Sequence, residues 1–317
     1  MRQAGMMSPR TPPNPARLDP DKPMSRSLRS ILVRQAEQVF SYEGAVLDGP
    51  GVETVHDMRV SARRLRAVLK IFRKAFDGPM LPMMKEQVAM LSGLIRTLGK
   101  VRDCDIMVRN LEGLGHLLVG ESRVTLDELI WRQRVQRDAH AAILRETVRR
   151  LHATAAKGTF LAFVKESMPP GEDPGPSLRE AAGPVLGELL RETASYRREV
   201  VGHPGRIEVL HSMRIESRPL RYVMEAFQPA FGKAFTRCLK ELKDFLDVAG
   251  EIHDCDVMIE MLSGQIGKAA DRAGSVRIAK LLAAQRAARR TLFRDFREAY
   301  QSLGRGKFRK KLLRSIE

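Results

Sequence analysis

VHDMRVSARRLRAVLKIF, from Val55 to Phe72, returns in the second half of the chain as LHSMRIESRPLRYVMEAF, from Leu210 to Phe227. His56, Arg59, Arg63 and Arg66 match His211, Arg214, Arg218 and Arg221 one for one. On a helix turning about 100° per residue, each set of four falls within a sector of roughly 80°. Val55, Met58, Leu65, Val68, Leu69, Phe72 and Phe76 lie on the far side of the first wheel, where they can enter a core. Each stretch therefore reads as an amphipathic helix with an apolar back and a basic front. Lys70 prolongs the first front, and neither set of four includes an acid.

A second pair of stretches follows in the same order. LGKVRDCDIM (Leu98–Met107) matches AGEIHDCDVM (Ala249–Met258), and the offsets of the two pairs are 155 and 151 residues. Two matched motifs in sequence point to an internal duplication. A proline- and glycine-rich break at 167–176 separates repeat one (24–166) from repeat two (177–303). Apolar residues recur at three- and four-residue intervals in nearly every segment, and no alternating strand pattern stands out. Gly99 and Gly250 stand where helix C-caps would fall, Asp103 and Asp254 where the next N-caps would, and Pro219 is placed to kink the second histidine helix. The expected fold is all-α: internally duplicated antiparallel helical bundles with pseudo-two-fold symmetry around a basic groove or pore.

Composition supports packed helices. Hydrophobic residues make up 43% of the 317, but aromatics only 5%, with a single Trp131. The formal net charge of +17 implies a polyanionic partner. Residues 1–23 read as a disordered, proline-rich tail and 304–317 as a flexible basic tail; about +10 of the charge stays in the body between them. Cys104, Cys238 and Cys255 have no paired metal spacing and suit free thiols in a reducing cytoplasm. No run approaches the roughly 20 apolar residues that span a bilayer, so no membrane partner is expected.

The two basic fronts call for an extended anion. A solvated helix face usually mixes charge signs, because acids four residues ahead of bases stabilise it. Guanidiniums crowded without acids repel one another, and an anion would relieve that. From Arg59 to Arg66 the axis rises about 10 Å, too far for one phosphate but suited to a chain carrying charge every few ångströms. Arginine's planar fork can give two hydrogen bonds to one phosphate. His56 and His211, beside these arginines, suit a pH-sensitive phosphate donor: neighbouring cations lower their proton affinity and a bound phosphate restores it. That reading predicts tighter binding near pH 6 than near pH 8.

Other features invite rival readings. Asp103, Asp105, Asp254 and Asp256, with His253, resemble a carboxylate metal site, but two of them sit where caps belong and all can brace stripe arginines. Arg102 is an extra anion contact, replaced by His253 in the second repeat, and Lys243 is another. Arg286, Arg289, Arg290, Arg294 and Arg297 read as a solvated face. There is no phosphate loop, HExxH, GxSxG or paired CxxC, and nothing calls for a metal or cofactor. Nucleic-acid binders of single strands interleave aromatics for stacking, and these basic fronts have none. Nucleic acid is therefore the second partner class, and a metal-dependent phosphohydrolase or a phosphotransferase using His56 the third reading.

These residues resemble the CHAD family, the conserved-histidine α-helical domains. Its H-x-x-R-V-x-x-R-R-L-R pattern is met by His56 through Arg66, and LG-x-x-R-D-x-D by Leu98, Gly99, Arg102, Asp103 and Asp105. The counterpart H-x-x-R-I-x-x-[KR]-x-L-R-Y is met by His211 through Tyr222. Leu242, Lys243, Asp247 and Gly250 fit L-K-x-L-x-D-x-x-G, with Phe245 in the second leucine place. The resemblance covers roughly residues 25–303. It implies non-catalytic binding of inorganic polyphosphate, with association with polyphosphate granules known for some relatives. By it, His56, Arg59, Arg63, Arg66, His211, Arg214, Arg218 and Arg221 line the groove. Glu225, where the first stripe has Lys70, and Pro219, in place of a frequent basic residue, weaken the second stripe.

Overall fold

The protein is described from a computed structural model covering residues 17–76, 78–114, 121–169, 175–266, 272–304 and 306–317. Among the described residues all regular elements are helical, as expected from the 3.6-residue periodicity. The first half comprises α1 (Met24–Phe40), α2 (Glu43–Asp48), α3 (Val52–Ile71), α4 (Met80–Leu114), α5 (Glu121–Ala153) and α6 (Ala156–Ser167). The second comprises α7 (Leu178–Ser195), α8 (Arg197–Gly202), α9 (Ile207–Phe227), α10 (Lys233–Ile266), α11 (Arg272–Gly304) and α12 (Lys307–Arg314). The two histidine helices are α3 and α9, and α9 runs through Pro219 as one helix.

Local sequence sets several boundaries. Ser177 opens α7 with a reciprocal capping box: its hydroxyl accepts from the Glu180 N–H, and the Glu180 carboxylate accepts from the Ser177 N–H at 2.8 Å. Ala155, at φ 50°, separates α5 from α6. Gly99 and Gly250 are not caps, nor are Asp103 and Asp254; all four lie inside the continuous helices α4 and α10. A glycine costs a helix about 1 kcal/mol. Each glycine is flanked by fully buried residues, Leu98 and Val101 or Ala249 and Ile252, and burying one such aliphatic side chain is worth about 1.5–3 kcal/mol. Tertiary burial wins, and the helices run on.

The long helices form two hairpins. Asp105 faces Arg137 and Glu112 faces Arg134, so α4 and α5 run antiparallel. Asp256 faces Arg289 and Phe245 stacks near Tyr300, so α10 and α11 do too. One large core draws buried residues from all twelve of these helices. A smaller one closes the far ends of both hairpins, with Leu111, Leu126 and Ile130 against Met258, Leu262, Ile278, Leu281 and Leu282.

Both expected tails need correction where they are described. Residues 1–16 lie outside the described residues, but 17–23 are ordered against the start of α7. Leu18 is buried, and Leu178 and Arg179 donate their N–H groups to the Lys22 and Pro20 carbonyls at 2.9 Å. The basic end is not a flexible extension: α12 buries Phe308 and Leu312, with Ile316 just beyond it. Apolar residues at four-residue spacing gave it a face to dock, which its charge obscured.

The start of each histidine helix is held by the same contact in both halves. Arg137 donates to Asp105 Oδ1 at 2.5 Å and to the Pro50 carbonyl at 2.7 Å, two residues before α3. Arg289 donates to Asp256 and to the Pro204 carbonyl at 3.1 Å, just before α9. Both aspartate side chains are nearly sealed, with 2% and 6% of their surface exposed. Arg289 therefore leaves the expected solvated face, whereas Arg286, Arg290, Arg294 and Arg297 are exposed. Removing one member of a buried ion pair strands the other charge, at a cost of about 3–5 kcal/mol. Asp105→Ala and Asp256→Ala should each lose that much in urea denaturation, and losses below about 1 kcal/mol, the range of surface pairs, would contradict the role.

Candidate functional site

The apolar backs of α3 and α9 bring their basic fronts together. Val55, Met58, Leu65, Val68 and Leu69 are fully buried on α3, as are Met213, Leu220, Val223 and Phe227 on α9. The two helices touch directly: Phe72 meets Phe227 at 6.0 Å between ring centroids, and the Arg63 guanidinium lies 5.9 Å from the Tyr222 ring. A guanidinium over an aromatic face is itself stabilising.

Arg59, Arg63, Arg214 and Arg218 share one electrostatic neighbourhood. Burial, then Asp254 opposing and Arg63 and Arg59 adding, takes Arg214 down to about 10. Burial followed by Arg63 and Arg214 takes Arg218 to about 9. Burial and Arg63 also lower Arg59 and Arg66. All stay charged at neutral pH, so the shifts register how strongly the fold disfavours these cations. The buried Nε of Arg59 and the buried Nε of Arg214, at matched positions, have no hydrogen-bond partner. A buried donor left unpaired costs about 1–3 kcal/mol, more on a charged group.

Arg59 also packs against α4 at Gly99. A Cβ there would meet the Arg59 guanidinium at 3.5 Å, so Arg59 lies across the bare backbone of α4. Gly250 has open space at its Cβ, and the matched arginine does not use it. Arg66 donates to Ser92 Oγ at 3.3 Å, and Lys70 is exposed at the end of α3.

The stripe histidines each meet the residue at the matched place of the second motif. His56 is half-buried, and its proton affinity is lowered first by burial and then by Arg102. His211 faces His253, with the two Nδ1 atoms 3.3 Å apart and the ring centroids 4.7 Å apart. At that distance one Nδ1 donates and the other accepts, which requires a neutral acceptor ring. Burial, Arg214, His211 and Arg218 hold His253 down at about 4.

Carboxylates occupy one end of the surface. Glu225, only 9% exposed, accepts from Arg64 at 2.6 Å and Arg221 at 3.1 Å and lies 3.1 Å from the Lys243 ammonium. Arg221 also reaches Asp247 at 2.8 Å. Arg221 and Lys243, expected as open anion contacts, are therefore already paired. Sequence reasoning missed Arg64, yet the signal was present: where the first stripe has Arg64 and Lys70, the second has Pro219 and Glu225. The differences are complementary, and the acid of the second half meets the spare arginine of the first.

The DCD elements divide their work. Asp103 acts on Arg59 and Asp254 on Arg214, bracing the stripes at a distance, and Asp254 lies 3.8 Å from Arg109. Asp105 and Asp256 are committed to Arg137 and Arg289, so the aspartates do not gather into a metal set. Among the described residues no group of three or more His, Cys, Asp or Glu could hold a metal ion. Nor, among them, is any helix long and apolar enough to cross a membrane.

An all-helical chain with twin histidine–arginine helices defines a class of its own, and the comparisons agree. The chain belongs to the CHAD domain family, whose pattern matches residues 30–263. It is similar to the crystal structure of the CHAD domain from the plant Ricinus communis, at 24% identity and a TM-score of 0.69, over 91% of this chain and 95% of that one. It is also similar to PptA from Streptomyces chartreusis, at 17% identity and a TM-score of 0.59, over 89% of this chain and 99% of that one. At these identities the likeness to both concerns the fold alone. No curated protein matches the sequence.

The histidine pair makes a prediction about the free protein. His253 has a folded-state value near 4, below its ordinary 6.5. Between these values the unfolded chain binds more protons, so stability is complete above about pH 6.5 and is lost as pH falls toward 4. Thermal melts from pH 7.5 to 4.5 should show a fall that His253→Asn makes shallower by about 2–4 °C. An unchanged profile in the variant would remove the histidine from the account.

Proposed function

We propose that this protein is a non-catalytic binder of inorganic polyphosphate, held along the surface where the fronts of α3 and α9 meet. The observation that carries this is the pair of buried, unpartnered Nε atoms on Arg59 and Arg214, beside Arg218, which burial and its arginine neighbours destabilise as a cation. Both arginines are only part-buried and have no carboxylate partner among the described residues, so the rest of each guanidinium can serve an acceptor with many oxygens. Some members of the family bind polyphosphate, which fits that acceptor. Arg59, Arg63, Arg214 and Arg218 form the centre, with His56, Arg66, Arg102 and His211 beside them and Lys70 at the C-terminal end of α3. Arg221 and Lys243 add field more than direct contacts, because Glu225 already holds them. The matched contacts of Arg137 and Arg289 support two repeats, 24–166 and 177–303, that bring the fronts together. Work in the cytoplasm, at polyphosphate granules, follows from that ligand.

Arg59→Ala with Arg214→Ala should weaken polyphosphate binding by about 100-fold, because two charge-assisted hydrogen-bonding groups are removed, and lower the salt slope by about 1–2. Circular dichroism should be unchanged. Unaltered affinity, or equal displacement by single-stranded RNA of matched charge, would refute the assignment. Chain shortening during incubation with Mg²⁺ or Mn²⁺ would replace binding with hydrolysis. Glu225→Gln, which releases Arg64 and Lys243, should raise affinity by about threefold or more, since exposed charges are each worth up to about 1 kcal/mol.

A further inference from the structure

Away from the histidine helices, α12 and the first turns of α10 border an open hollow of about 440 Å³, lined by Ala234, Arg237, Lys307, Lys310, Lys311, Arg314 and Ser315. Five of these seven side chains are cationic. Glu241 offsets one of them by pairing with Lys311. The wall is firm: Phe308, Leu312 and Ile316 fix α12 to the main core, and Arg179 Nη1 holds the Ile316 carbonyl at 2.7 Å. Lys307, Lys310, Lys311 and Arg314 share one face of α12, at spacings of three and four residues where like charges repel. Ala234 lies in the first turn of the 34-residue helix α10, whose unpaired N–H groups add positive potential beside the hollow.

We infer that this hollow is a second anion site, independent of the histidine helices, for a compact soluble molecule carrying three or more clustered phosphate groups. The cations surround a volume instead of following a line, and the size falls within the range of small-molecule sites, about 300–1,000 Å³. The route along α10 to Lys243 is interrupted by acids, with Lys240 held by Asp244 at 2.7 Å and Arg221 by Asp247. A long polyanion bound between α3 and α9 therefore has no continuous cationic path to the hollow. A bilayer is a poorer match: the large apolar side chains of α12 at Phe308 and Leu312 are buried in the fold, and membrane-surface helices need theirs free. Lysine outnumbers arginine here, which suits phosphates presented at varied angles.

The full-length chain should bind inositol hexakisphosphate and tripolyphosphate in isothermal titration. Lys310→Ala with Arg314→Ala, both exposed positions, should weaken inositol hexakisphosphate by at least about tenfold. Arg237→Ala, from the opposite wall, should weaken it independently, and Arg59→Ala with Arg214→Ala should leave it within about threefold. Long-chain polyphosphate should show the reverse sensitivities, so failure here is separable from failure of the main site. No binding of either compact probe would overturn the proposal, as would loss only in the Arg59/Arg214 variant. Stronger binding to phosphatidylcholine vesicles containing phosphatidylinositol bisphosphate than to the free compact phosphates would overturn it in favour of a membrane.

Discussion

Everything at the centre of this fold depends on holding guanidiniums close together, partly out of water, without giving them carboxylates. Moving a charge from water toward a protein interior costs several kcal/mol unless something compensates. Here Asp103 and Asp254 act only from a distance, and Tyr222 offers the face of a ring. The remaining cost is carried by the rest of the chain: the apolar backs of α3 and α9, the main core they enter, and the sealed aspartate–arginine contacts that fix where each helix begins. Stability invested there is stability withheld from the surface that an anion would complete.

The surface is not symmetric, although the matched residues come in pairs. Gly99 admits Arg59 against the backbone of α4, while the open space at Gly250 goes unused. His56 has an arginine for its neighbour, whereas His211 has another histidine. At one end Glu225 gathers three cations into a closed cluster. An anion along α3 and α9 would meet strong, undersatisfied donors in the middle and a neutralised margin beside Arg221. That gives the surface a direction, set by two positions at which the halves of the chain differ.

Much of this was legible in the sequence because it is periodic. The 3.6-residue spacing fixed the helices, and the repeated HxxRxxxRxxR spacing put the four key arginines on meeting faces. What failed was punctuation read locally. Gly99, Gly250, Asp103 and Asp254 look like a helix end and a new start, but buried neighbours on both sides override a glycine's preference. The charge of 304–317 hid the four-residue spacing of Phe308, Leu312 and Ile316. Long-range partners were out of reach: nothing near Asp105 in sequence announces Arg137, and Arg289 sits among arginines that are exposed. Glu225 could have been read, since an acid gained in one repeat and a spare arginine kept in the other imply each other.

The small apolar cluster at the far ends of the two hairpins gives the molecule a mechanical property. Leu126, Ile130, Ile278 and Leu281 share one cluster there, while nearer the middle the same hairpins carry Asp105 and Asp256, which anchor the lead-ins to α3 and α9. The two hairpins are thus tied at their tips as well as through the main core, so residues that never meet a ligand help hold the arginine-bearing helices at a fixed spacing.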